Sequence, residues 1–194
     1  SKINLNWSKK LFDNKSSAID ISIDSEGSLY LTGFIEGSID NETNSGARVA
    51  FLTKINKDGN RKWTKLIGTI YGNSTSNITN DEDDNVYIVG RKVSVNGMGD
   101  IFVSKFTSEG NQEWYKEFSS TDGEQEYPTD IKIASDNSIY VSGYTSGNFE
   151  GIENDNKKTD TFIIKLNETG KKEWVKLIDG DYSTGGIGIG KDGN

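Results

Sequence analysis

Asn56-Lys57-Asp58-Gly59-Asn60-Arg61-Lys62-Trp63 returns as Thr107-Ser108-Glu109-Gly110-Asn111-Gln112-Glu113-Trp114 and again as Asn167-Glu168-Thr169-Gly170-Lys171-Lys172-Glu173-Trp174. A phrase that recurs after about fifty residues marks stacked copies of one supersecondary unit, so the fold is read from one copy and multiplied. Working outward, a second phrase recurs as Leu29-Tyr30-Leu31-Thr32-Gly33, Val86-Tyr87-Ile88-Val89-Gly90 and Ile139-Tyr140-Val141-Ser142-Gly143. Its tyrosines stand 57 and 53 residues apart. Before each lies a short segment alternating with period two: Ile19-Asp20-Ile21-Ser22-Ile23, Ser76-Asn77-Ile78-Thr79-Asn80 and Thr129-Asp130-Ile131-Lys132-Ile133. Such alternation predicts a strand.

The turns between these strands are Asp24-Ser25-Glu26-Gly27-Ser28, Asp81-Glu82-Asp83-Asp84-Asn85 and Ala134-Ser135-Asp136-Asn137-Ser138. Their fourth place holds glycine, aspartate or asparagine, the residues that tolerate a left-handed backbone, as a type I turn with a bulge requires. The same logic makes Gly59, Gly110 and Gly170 the corners of a second hairpin. It joins a third strand (Phe51–Ile55, Phe102–Phe106, Phe162–Leu166) to a fourth that opens at Trp63, Trp114 or Trp174. Each unit is then four short antiparallel strands. With one proline and no helical periodicity, the chain is expected to be all-β, built as β-propeller blades. Adjacent apolar pairs such as Phe102-Val103 and Phe162-Ile163 fit sheets covered on both faces. A single β-sandwich is the alternative, and it accounts poorly for the repeats.

Three whole blades are expected at about 17–66, 67–118 and 119–178, with partial blades at 1–16 and 179–194. Trp7–Phe12 reads as the last strand of a preceding blade. Ile187-Gly188-Ile189-Gly190-Lys191-Asp192-Gly193-Asn194 reads as the first strand and turn of a following one, with Gly193 in register with Gly27. A closed propeller takes about four to eight blades, so this segment is expected to be an incomplete propeller that needs further blades of a parent chain, or another copy, to close its ring.

The 194 residues carry 30 acidic against 22 basic side chains, a net charge of −8, and the lysines are scattered, so nucleic acid is not an expected partner. No stretch has the eighteen or so apolar residues of a membrane span, and Ser1–Trp7 lacks a signal peptide's apolar centre. There is no cysteine and no histidine, which removes thiol chemistry, disulfides and the commonest general base and metal ligand.

These phrases resemble the bacterial SBBP (seven-bladed β-propeller) repeats, whose pattern runs Asp-Ile-x-x-Asp-x-x-Gly-x-x-Tyr-Val-x-Gly, then Asp-x-Phe-Val-x-Lys, then Gly-x-x-x-Trp. The first unit matches at Asp20-Ile21, Asp24, Gly27, Tyr30, Gly33, Phe51, Lys54, Gly59 and Trp63. The second matches at Asp81, Tyr87, Gly90, Asp100, Phe102, Lys105, Gly110 and Trp114, and the third at Asp130-Ile131, Tyr140, Gly143, Asp160, Phe162, Lys165, Gly170 and Trp174. Val49, Asp84 and Asn137 depart from it. The resemblance implies an exported or cell-surface bacterial propeller of undefined role. The glycine-to-tryptophan phrase is also similar to that of quinoprotein-like propellers.

Four features are candidates for chemistry. Gly185–Asp192 fits the G-x-x-x-x-G-K spacing of a phosphate loop, but aspartate stands where serine or threonine is needed and the segment shares the register of a blade's first strand. Asp81, Asp83 and Asp84 could supply oxygen ligands to calcium, although a solvated turn explains them equally simply. Asp20 and Asp130 sit at equivalent places on first strands and could pair as acid and base, as in glycoside hydrolysis, or satisfy backbone groups. The connections between second and third strands, at 34–48, 91–99 and 144–159, differ most between units, and specificity usually resides in such loops. The expected function is therefore a non-catalytic scaffold or binding module without cofactor, presenting these loops to a protein or glycan. The alternative is a fragment of a carbohydrate-active enzyme, a glycosidase or lyase.

Overall fold

The computed structural model describes residues 7–39, 42, 44, 48–68, 73–93, 98–154, 158–180 and 186–190. None of these residues is helical, and twelve strands form three four-stranded antiparallel sheets rather than the two layers of a sandwich. The first sheet runs β1 (Ser16–Ile23), β2 (Leu29–Glu36), β3 (Arg48–Ile55), β4 (Arg61–Ile67). The second runs β5 (Asn73–Asn80), β6 (Val86–Val93), β7 (Gly99–Phe106), β8 (Gln112–Phe118). The third runs β9 (Glu126–Ile133), β10 (Ile139–Thr145), β11 (Asp160–Leu166), β12 (Lys172–Ile178). Each is a meander in which neighbours in sequence are neighbours in space.

Turn chemistry fixes these meanders. Gly27, Asp84 and Asn137, at the fourth place of the first hairpin, have φ of 81°, 61° and 63°, and Gly59, Gly110 and Gly170 have 76°, 84° and 75°. Except at Ala134, where Asp136 accepts the Ser138 N–H instead, the residue that opens each turn also caps it. Asp24 Oδ1 accepts N–H bonds from Glu26 and Ser28, and Asn56 Oδ1 accepts them from Asp58 and Asn60. These Asx bonds satisfy amides that the ladder leaves free at the corner.

The glycine of the tyrosine phrase has a different cause. In each sheet the first strand carries a bulge opposite it, where the register slips between Ala18 and Asp20, between Thr75 and Asn77, and between Pro128 and Asp130. The bulge drives a backbone carbonyl toward the second strand. A Cβ on Gly33, Gly90 or Gly143 would fall against the carbonyl oxygen of Ser17, Ser74 or Tyr127. Pro128 sits in this same bulged region of β9, an edge strand, where a missing N–H is tolerated.

Because every central strand is apolar on both faces, the sheets must be covered on both. Tyr30, Ala50 and Leu52 of the first sheet close on Ile78, Val86, Ile88, Phe102 and Phe106 of the second. Tyr87, Val89 and Val103 on the opposite face of the second close on Ile131, Val141, Phe162 and Ile164 of the third. Full burial of each such side chain is worth about 1.5–3 kcal/mol, so these two interfaces dominate stability. The other face of the first sheet, at Ile35, Val49 and Phe51, is covered by Phe12, whose ring meets Phe51 edge-on at 5.0 Å. The first and third sheets share no core cluster, and the described residues form no closed ring.

The recurring tryptophan links one sheet to the next. Within each sheet a tyrosine, a lysine and the tryptophan stand side by side across β2–β3–β4 and their counterparts: Tyr30–Lys54–Trp63, Tyr87–Lys105–Trp114 and Tyr140–Lys165–Trp174. From there the indole reaches forward. Trp63 Nε1 donates to Ser108 O at 3.3 Å and Trp114 Nε1 to Glu168 O at 3.2 Å, while Trp7 Nε1 donates to Lys57 O at 3.1 Å. The acceptor is always the carbonyl two residues before the hairpin glycine. The ring lies where a Cβ on Gly59, Gly110 or Gly170 would project, so that glycine is required by its backbone angle and by its neighbour's indole.

Candidate functional site

The sequence candidates do not converge. Asp81 spends both carboxylate oxygens on its own turn. Oδ1 accepts N–H bonds from Asp83 and Asn85, and Oδ2 accepts from the Asn85 amide and the Tyr87 hydroxyl, each at 2.9–3.0 Å. Asp84 faces another partner: its two oxygens accept the backbone N–H and the hydroxyl of Ser25, at 2.9 and 2.6 Å, tying the first-hairpin turns of neighbouring sheets. Asp83 is exposed. Among the described residues no three carboxylates gather as a metal site would need.

Asp20 and Asp130 perform one task in two places. Asp20 Oδ2 accepts the N–H of Ile78 in the next first strand at 3.0 Å, and Asp130 Oδ2 accepts the N–H of Ile187 at 2.9 Å. Asp130 Oδ1 also meets Lys132 Nζ at 2.8 Å. Each carboxylate is thus an acceptor for the backbone of a neighbouring segment, Ile78 in β5 and Ile187 in the extension 186–190, and the two belong to different sheets. The Ile187 bond also places residues 186–190 beside β9, in the register Ile78 holds beside β1. Gly185, Lys191 and Asp192 of the phosphate-loop spacing lie outside the described residues.

The loops between second and third strands are described in part; residues 40, 41, 43, 45–47, 94–97 and 155–157 of these connections lie outside the described set. The third has a defined shape. Phe149 is fully buried, packs its ring against Phe162 at 4.7 Å with a 31° tilt, and bridges both Ser120 and Ile152. Around it, Thr121 N–H donates to Asn148 O, Glu150 N–H donates to Ser119 O, and Asn148 N–H donates to the Asp122 carboxylate. Lys172 pairs with Glu150. Residues 146–154 and the inter-sheet connection 119–125 therefore form one platform, with Gly151 and Glu153 exposed on it. Arg91 joins it from the second sheet, donating to Gln125 Oε1 at 2.6 Å with its guanidinium 4.5 Å from the Tyr127 ring.

Beneath the platform lies a group that sequence reasoning missed. Glu126 opens β9 with no exposed surface. Thr145 Oγ1 donates to its Oε1 at 3.2 Å, while among the described residues Oε2 has no hydrogen-bond partner. Burial, above all, pushes its carboxyl up to about 7, reinforced by the charge of Asp100 and opposed by Ser120 and Thr145. Such a carboxyl resembles a general acid by its titration, but substrate cannot reach it. In the sequence Glu124-Gln125-Glu126 looks like a solvated loop. Its alternation with Pro128 and Asp130 was the available signal, and the bulge at Thr129 obscured it.

A groove of about 540 Å³ opens between β4 and β8, lined by Lys65, Ile67, Phe106, Gln112, Tyr115 and Glu117. Its floor is rigid, since Tyr115 stacks on Phe102 at 5.4 Å. Burial raises the Tyr115 hydroxyl above the usual phenol range, so it acts as a neutral hydrogen-bonding group. Compared with family models and with curated proteins, the chain matches none.

Proposed function

We propose that the chain is a segment of an SBBP-type β-propeller, its three sheets acting as blades, and that it serves as a non-catalytic scaffold of an exported or cell-surface bacterial protein. The loops at 34–48, 91–99 and 144–159 present the binding surface to a protein or glycan. One observation carries this reading: the side chains best placed for chemistry are already occupied inside the fold. Asp20 and Asp130 hold backbone amides of the segment beside them, and Asp81 holds its own turn. The platform at 119–125 and 146–154 is by contrast a shaped, unrepeated surface on a rigid support, the usual setting of recognition.

A glycan array and a polysaccharide-degradation screen on the intact chain test it. Expected are binding that weakens on Glu153→Lys and no turnover. Reproducible turnover abolished by Asp20→Asn or Asp130→Asn overturns the scaffold reading in favour of a glycosidase or lyase.

A further inference from the structure

The third sheet carries the same outward equipment as the first two, and among the described residues nothing is seated on it. Trp63 and Trp114 reach the next hairpin, whereas Trp174 is 36% exposed. Four residues after the tryptophan, Ile67 and Phe118 are each 5% exposed, whereas Ile178 is 50% exposed. Tyr30 and Tyr87 are fully buried, whereas Tyr140 is only half-buried beside its lysine. This face is a bare copy of two interfaces that are filled elsewhere in the molecule.

Residues 186–190 indicate what fills it. Ile187 gives its N–H to Asp130 as Ile78 gives its N–H to Asp20, so this segment already stands where the first strand of a following blade would stand. A second copy of the chain would have to present the Gly59 hairpin, which already seats its own Trp7.

We infer that the Tyr140–Lys165–Trp174–Ile178 face is a docking surface for a β-blade of this same repeat, built on residues 186–190 as its first strand. That blade presents to Trp174 a hairpin whose corner glycine has a left-handed backbone, and the carbonyl two residues before that glycine accepts the indole N–H. The inference rests on reading the sheets as propeller blades.

The test extends the intact chain after Asn194 with a copy of its own residues 29–67, which continues the register of Gly193 with Gly27. Labelled with 5-fluorotryptophan, the unextended chain gives ¹⁹F signals for Trp7, Trp63, Trp114 and Trp174, assigned by single Trp→Phe variants. In it, the Trp174 signal is expected to show a larger H₂O/D₂O solvent shift than those of the partly buried Trp63 and Trp114. In the extended chain that shift is expected to be lost, the melting temperature to rise, and both effects to revert when the glycine equivalent to Gly59 in the added copy becomes valine. A Trp174 that keeps its solvent shift in the extended chain, whether or not the added strands fold, overturns the docking surface. If Trp63 and Trp114 show as large a solvent shift as Trp174 in the unextended chain, the reading of the sheets as blades fails instead.

Discussion

Replacing Glu126 with glutamine should make the protein more stable at alkaline pH and slightly less stable in acid. The side chain has no exposed surface and one carboxylate oxygen without a partner among the described residues. Its carboxyl is held at about 7 against an ordinary value of 4.5. A group whose folded value is raised contributes stability that is fully present below the unfolded value and lost as pH rises through the folded one, here between about 4.5 and 7. At about 1.4 kcal/mol for each pH unit of that gap, the ionised form costs the native state about 3 kcal/mol above pH 7. Glutamine keeps the volume and the bond to Thr145 but never ionises. Its second amide hydrogen adds a constant penalty of about 1 kcal/mol, so the informative quantity is how the difference between the proteins varies with pH. Urea unfolding followed by tryptophan fluorescence, from pH 4.5 to 8, should show the variant gaining about 2–3 kcal/mol on the parent across that range. At pH 8 this corresponds to a melting temperature higher by about 4–8 °C. A difference that stays flat with pH would mean that Glu126 ionises in the ordinary carboxylate range and is not sealed beneath the platform.

Two glycines separate close approach from backbone angle: Gly143→Ala, which drives a methyl into the Tyr127 carbonyl and the Phe162 ring, should cost about 2–4 kcal/mol, whereas Gly27→Ala has open space and only an unfavourable φ, worth about 1–2 kcal/mol, both measured by chemical denaturation. Trp63→Phe should lose about 1 kcal/mol for the bond to Ser108 O, and Trp63→Ala about 3–5 kcal/mol, measured by calorimetry; a Trp63→Phe loss near zero would mean that the indole N–H contributes nothing. Asp20→Ala, which strands the Ile78 N–H, should destabilise by about 1–3 kcal/mol, while Asp20→Asn keeps an acceptor and should be close to neutral. Because the Asp81 oxygens are occupied, millimolar calcium should leave the melting temperature where EDTA leaves it; a rise that scales with calcium concentration would establish a site.

What could be read from the sequence is what is decided locally. The left-handed corners at Gly27, Asp84 and Asn137 were legible because turn chemistry depends on four or five consecutive residues, and aspartate and asparagine are recognisable substitutes for glycine. The four-strand unit was legible because side-chain alternation has a fixed period. The errand of each tryptophan was not, because its partner carbonyl lies 45 to 54 residues away. Nor was the cause of the glycine in the tyrosine phrase, since a bulge appears only when two strands are paired. Asp20 and Asp130 could be seen to be equivalent, but whether a carboxylate meets substrate or a neighbour's amide depends on the strand beside it. Glu126 illustrates the same limit from the other side, a charged residue in a polar stretch that the fold removes from water entirely.

One link recurs at every junction with the same few atoms, an indole nitrogen and the carbonyl two places before a glycine. It always points forward along the chain. Units joined in this way are interchangeable: any one can follow any other, and none can be turned around. Duplication or loss of about fifty residues would then change the number of units while leaving this link intact at each remaining junction, and the loop positions away from Arg91 and Phe149 could diverge because the indole link does not use them. A stack governed by such a rule can vary its length and its surface independently.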